Sequence, residues 1–162
     1  MAAVVVFVIG FSHAMFTATT SGPENLLSTG ELRLSVSPTG AVVSGTGALK
    51  PGDARTGTVK VKNLSSKAKL RLSAIDLTEG AAPKLSSVIV LTVRETAPAT
   101  AQRYRGSIAG LSGLALGTWA SAEQRTYEIE IAWPSTETGS GLRGKQAAFK
   151  FEWYGESVCS GC

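Results

Sequence analysis

The chain has 162 residues, 43% hydrophobic and 17% charged, with 16 Lys plus Arg against 12 Asp plus Glu, one His, two Cys and 18 Gly. That is one domain, able to bury about 68% of the surface its unfolded chain exposes, so a core forms without metal or disulfide. The low charge and abundant Gly exclude a coiled coil and a disordered tail, the +4 net charge lies on scattered residues with no basic run to hold nucleic acid, and one His with two Cys is too few for a usual zinc site.

Ala2 to Phe11 reads AAVVVFVIGF, an uncharged and almost wholly apolar run followed by Ser12, His13 and Ala14. It is too short to span a bilayer. It matches the apolar core of a secretory signal, and Ser12-x-Ala14 is the small-x-small pattern that signal peptidases accept. The expectation is a leader over residues 1–14, cut between Ala14 and Met15. The missing Lys or Arg ahead of the run departs from the usual positive flank, and a buried strand is the other reading of so much Val and Ile.

Beyond the leader, apolar and polar residues alternate with period two, which puts successive side chains on opposite faces of a strand. Leu32, Leu34 and Val36 alternate with Glu31, Arg33 and Ser35; Val59 and Val61 alternate with Lys60 and Lys62; Leu70 and Leu72 alternate with Lys69 and Arg71. The phase then slips, since Ile75 and Leu77 have the opposite parity to Leu72, and a bulge near Ala74 would repair it. Val88 to Val93 (VIVLTV) is apolar on both faces, as a central or doubly covered strand would be. Tyr127, Ile129, Ile131 and Trp133 form one more stripe, and Phe149, Phe151 and Trp153 another. These two carry the largest aromatic side chains and are expected at the middle of the core.

Turn residues separate the windows. Lys50-Pro51-Gly52-Asp53 has Pro to set φ and Gly to take a positive φ, as a type II turn requires. Gly80 to Pro83, Gly110 to Gly113 and Gly139 to Gly141 punctuate the rest. No stretch of eleven or more residues holds a helical period, so any helix is short. The predicted fold is an all-β, two-sheet β-sandwich with jelly-roll or immunoglobulin-like connectivity.

Motifs for chemistry are sparse. The one imidazole, His13, falls in the expected leader, which leaves no base for a Ser-His-Asp or Cys-His site. HExxH, G-x-S-x-G and a phosphate-cradling glycine loop are absent. No catalytic, metal or cofactor residue is predicted. Glu128 and Glu130 share the outward face of a strand and read as a solvated pair opposite Lys or Arg. Arg103, Tyr104 and Arg105 make only a short basic and aromatic patch. Cys159-Ser160-Gly161-Cys162 lacks the following helix that redox C-x-x-C motifs use; in an exported protein it would be a local disulfide, an unpaired tail or a link between chains. Asn63-Leu64-Ser65 fits a glycosylation sequon, a pattern common by chance.

Three stretches resemble the TasA/camelysin-like family: Phe16 to Val36 (FTATTSGPENLLSTGELRLSV), Leu49 to Asn63 (LKPGDARTGTVKVKN) and Gln146 to Tyr154 (QAAFKFEWY). The resemblance implies a secreted jelly-roll protein released by a signal peptidase of the SipW type. It implies a non-enzymatic subunit that polymerises with copies of itself into extracellular biofilm-matrix fibres, with other matrix or cell-surface components as further partners. It also implies assembly by strand donation, in which an N-terminal segment adds a strand to a neighbouring subunit. Residues 15–29 are the donor candidate: few charges, several Thr, Phe16 at the start and Leu26-Leu27 as an anchor, with Pro23 obliged to face away from the acceptor strand. The expected division is then leader 1–14, donor segment 15–29, sandwich 30–156 and C-x-x-C tail 157–162. Neither nucleic acid nor, for the mature chain, a membrane is an expected partner. A secreted metalloprotease, as camelysin-like members have been described, and a monomeric surface-adhesion module are the alternatives.

Overall fold

The computed structural model describes residues 14–18, 33–38, 43, 49–137, 141–142, 145 and 147–158. Among the described residues nine strands follow in chain order: β1 Ala14–Ala18, β2 Leu34–Ser37, β3 Ala54–Asn63, β4 Ala68–Glu79, β5 Val90–Ala97, β6 Ala101–Ser107, β7 Leu114–Trp119, β8 Gln124–Ala132 and β9 Ala147–Ser157. Helical content among the described residues is confined to two three-residue 3-10 turns, Leu85–Ser87 and Ile108–Gly110. Among the described residues no helix is long and apolar enough to cross a membrane.

The strands form two sheets, ordered β1-β9-β4-β7 and β2-β3-β8-β5-β6. From β3 to β9 the chain crosses between sheets at every connection except the β5–β6 hairpin. This is the winding of a jelly roll, with β2 added beside β3. The all-β sandwich read from the alternation is therefore the fold. Every ladder among the described strands is antiparallel except one: β1 runs parallel to β9.

The core lies where the two aromatic stripes meet. Tyr127 and Ile129 of β8 and Phe151 and Trp153 of β9 are fully buried, together with Val59 and Val61 of β3, Leu70 and Leu72 of β4, and Leu91 and Val93 of β5. Burying each large apolar side chain contributes roughly 1.5–3 kcal/mol. The phase slip in β4 is present: the β4–β9 register shifts between Ile75 and Thr78, with Asp76 at φ 53°. The extra residue falls after Ile75 rather than near Ala74, so Ala74 keeps the inward parity of Leu72, Ile75 stays opposite Lys150 on the outward one, and only Leu77 is brought in against the core. The Lys50–Asp53 turn also forms as read, with Gly52 at φ 92° and the Asp53 amide donating to the Lys50 carbonyl at 2.9 Å.

Strands β6 and β7 have no counterpart in the alternation. The sequence of β6, AQRYRGS, is mostly polar because the strand lies at a sheet edge. β7 pairs with β4 through a register shift, with Gly117 at φ 85°, so its apolar residues fall out of period.

Gly155 marks the tightest approach between β9 and β4. A Cβ there would collide with the Lys69 carbonyl oxygen and lie 2.5 Å from Leu70 Cδ2. Gly155→Ala is expected to lower stability by about 1–3 kcal/mol, read as a shift in the midpoint of urea denaturation with unchanged slope.

Candidate functional site

The two sheets have four outer edges, and three of them are blunted. β2 is four residues long and runs into Pro38, β7 is bent at Gly117, and β6 carries Arg103 and Arg105. Short strands, bulges and edge charges are the usual guards against pairing with another chain. The fourth edge strand is β1, which lies along the outer side of the eleven-residue β9.

β1 covers only part of it. Ala14 pairs with Phe149, Met15 with Lys150, Phe16 with Phe151, Thr17 with Glu152 and Ala18 with Trp153. Positions 14, 16 and 18 are thus in register with the three core aromatics of β9. Tyr154–Ser157 pair with β4 on one side and with no described strand on the other. The parallel direction matters, because an antiparallel winding would bring the outer strand in the opposite way. β1 thus takes the place of an outer strand beside β9, but in the direction opposite to the one that antiparallel winding gives.

Of the residues singled out in the sequence, Ala14, Met15 and Phe16 are the first three of β1. Leu26, Leu27, Cys159 and Cys162 lie outside the described residues, as does the expected leader up to His13. Glu128 and Glu130 stand on the outward face of β8, where Glu128 lies 3.7 Å from Arg94 of β5. Among the described residues no group of three or more His, Cys, Asp or Glu could hold a metal ion.

The Arg103-Tyr104-Arg105 patch does not assemble into a ligand site. Arg103 turns toward Glu95, its Nε donating to Oε2 at 2.8 Å, and the Tyr104 hydroxyl donates to the Ser107 carbonyl at 2.6 Å. Glu95 is the buried charge of this end of the sandwich, 1% exposed, with Arg125 Nη1 3.8 Å away. Arg125 is fully engaged: it donates to Glu123 Oε1 at 2.7 Å and to the carbonyls of Leu116 and Thr118, and its guanidinium lies 4.6 Å from the Trp119 ring centre. Sequence reading missed this network because Val88 to Val93 is apolar on both parities and does not say which face of β5 is inward, so the inward position of Glu95 after Leu91 and Val93 raised no conflict. Burial, with the Glu95 charge adding to it, pushes the Tyr127 hydroxyl well above its ordinary value and keeps it neutral.

No protein-family model matches the chain, and no curated protein matches it. Among solved structures, it is similar to a family 123 glycoside hydrolase from Clostridium perfringens described for glycolipid glycan hydrolysis. The identity is 16%, the alignment covers 67% of this chain and 22% of that one, and the TM-score is 0.34. The chain thus spans about a fifth of that enzyme's length, and a likeness at this score carries no argument about activity.

Two predictions follow from the charge network. Arg103→Met leaves Glu95 buried with only its longer contact to Arg125, and is expected to cost about 3 kcal/mol of stability; Glu95→Met with Arg103→Met should cost less than that single change. A double-mutant cycle by urea denaturation reads the difference. The second concerns acid. Burial raises the carboxyl of Glu79, but donation from the Ser86 hydroxyl and amide and the charge of Lys84 outweigh it and hold it below the usual value. Glu123 is likewise lowered, by the Ala120 amide and Arg125 against its burial. Depressed carboxylates stabilise fully above their unfolded values and lose that contribution as pH falls through their folded ones. Stability measured from neutral pH into the acid range should therefore fall, and Glu79→Gln with Glu123→Gln should flatten that slope.

Proposed function

We propose that this protein is a secreted, non-enzymatic structural subunit that assembles with copies of itself into an extracellular fibre, its N-terminal segment pairing along the β9 edge of the next subunit. The observation that carries this reading is the parallel pairing of β1 along the outer side of β9, the one parallel ladder among the described strands. A strand that pairs with a single neighbour at the side of a sheet can leave one copy and occupy the same place on another without altering the remaining ladders.

The unequal lengths of the two strands support the same reading. β1 pairs with five residues of β9, and a donor running on past Ala18 meets four more, Tyr154–Ser157, with backbone groups unpaired on that side by any described strand. Pairing between subunits could thus be longer than pairing within one. Cleavage between Ala14 and Met15 would remove the first residue of β1 and leave Met15–Ala18 as the start of the donor. The resemblance to TasA-like proteins supplies the biological setting, a matrix fibre at the cell surface.

Deleting residues 15–29 from the mature chain is expected to leave a folded monomer, by circular dichroism and light scattering, that forms no filaments in electron micrographs. A synthetic peptide spanning 15–29 should slow filament growth of the intact protein. Filaments of normal number and length from the deletion variant would overturn strand donation, and a strictly monomeric intact protein across concentration and pH would favour a surface-binding module.

A further inference from the structure

The outer edge of β7 is met by a side chain from the other sheet. In the β4–β7 ladder Thr118 stands opposite Lys69, while Leu116 is passed over, between Gly117 opposite Leu70 and Ala115 opposite Arg71. The Lys69 carbonyl lies against Gly155 of β9. In an antiparallel strand the amide and carbonyl of one residue point to the same neighbour, so Lys69 is committed to β9 and Thr118 turns its own backbone groups away from β4. On that side β7 has no neighbour among the described strands. A row of unpaired carbonyls there would be a template for a strand of another chain.

Arg125 of β8 takes those acceptors. Its Nη1 donates to the Leu116 carbonyl at 2.9 Å and its Nη2 to the Thr118 carbonyl at 3.2 Å, on either side of the bend at Gly117. The Trp119 indole Nε1 also donates to the Leu116 carbonyl, at 3.3 Å, which occupies both lone pairs of that oxygen. The guanidinium is itself fixed. Its Nε donates to Glu123 Oε1 at 2.7 Å, Glu123 Oε2 accepts from the Ala120 amide at 2.7 Å, and the centre of the Trp119 ring is 4.6 Å away. All three guanidinium nitrogens are engaged, with 13% of the side chain exposed. Neutralising Glu95 does not account for this arrangement, since Arg103 stands 2.5 Å from that carboxylate and Arg125 3.8 Å.

We propose that Arg125 is an autoinhibitory guard of the β7 edge: while its guanidinium holds the Leu116 and Thr118 carbonyls, a second copy of this chain cannot pair there, and without it two copies join through β7. Like edges meet antiparallel about a twofold axis, so β7 against β7 makes a closed pair and not a chain. Arginine suits the task because its planar fork serves two acceptors at once, where lysine brings a single ammonium. The guard is independent of fibre formation, which uses β1 and β9 at the opposite side of the same sheet.

The test is the mass of the full chain by light scattering over a concentration series, taken as a ratio to the parent under the same conditions. Arg125→Lys keeps a cation beside Glu123 but loses the fork, and Arg125→Met removes every donor. Both are expected to reach about twice the parent mass and to return to it on dilution. Hydrogen exchange at the Thr118 amide, which faces the same edge as its carbonyl, should slow as the variants associate. Arg103→Met weakens the same charge network, leaves Arg125 on the carbonyls and should keep the parent mass. Parent mass for both Arg125 variants overturns the proposal. A rise in mass for Arg103→Met traces association to lost stability and overturns it, as does a doubled mass with unchanged exchange at Thr118. Near-ultraviolet circular dichroism matching the parent verifies that each variant is folded.

Discussion

The contact between the rings of Tyr127 and Trp153, 5.2 Å between centres, joins the two sheets at the strands that organise them. β8 is the middle strand of its sheet, flanked by β3 and β5, and β9 lies between β1 and β4 in the other. Trp119 of β7 also stacks on Tyr127, at 6.4 Å, so three strands from the two layers share one aromatic cluster. Rings of this size set the separation of the layers, and the aliphatic residues of β3, β4 and β5 fill the space so defined. Arg125 closes the cluster at its polar end by lying over Trp119.

Much of this was written in the sequence as parity. The stripes Tyr127-Ile129-Ile131-Trp133 and Phe149-Phe151-Trp153 could be read because an inward-facing strand of a two-layer sandwich must alternate, and even the bulge in β4 announced itself as a change of phase. Strands without a buried face gave no such signal, which hid β6, and the shifted register around Gly117 scrambled β7. The order of strands was illegible, since alternation says which face of a strand is buried and nothing about its neighbour.

The candidate sites were legible to different degrees. The composition and Ser/Thr content of residues 15–29 suggested a pairing segment, but the parallel direction of β1 and its register on Phe149–Trp153 are facts of three-dimensional pairing. Glu95 looked like any solvated glutamate until Arg103 and Arg125 were seen beside it. Asn63 offers a parallel case. The sequon it begins suggests an exposed acceptor, yet its amide is wholly spent on holding the turn between β3 and β4.

The position of β9 between β4 and an edge strand gives its backbone two kinds of tenure. Successive amides in a strand point to opposite neighbours. One set of β9 amides is therefore tied to β4, whose release requires the sandwich to open, and the other set faces β1, whose release requires only that an edge strand lift away. Exchange with solvent along Phe149–Trp153 would accordingly beat with a period of two, slow and fast by turns, and the fast set would keep time with the comings and goings of a single strand.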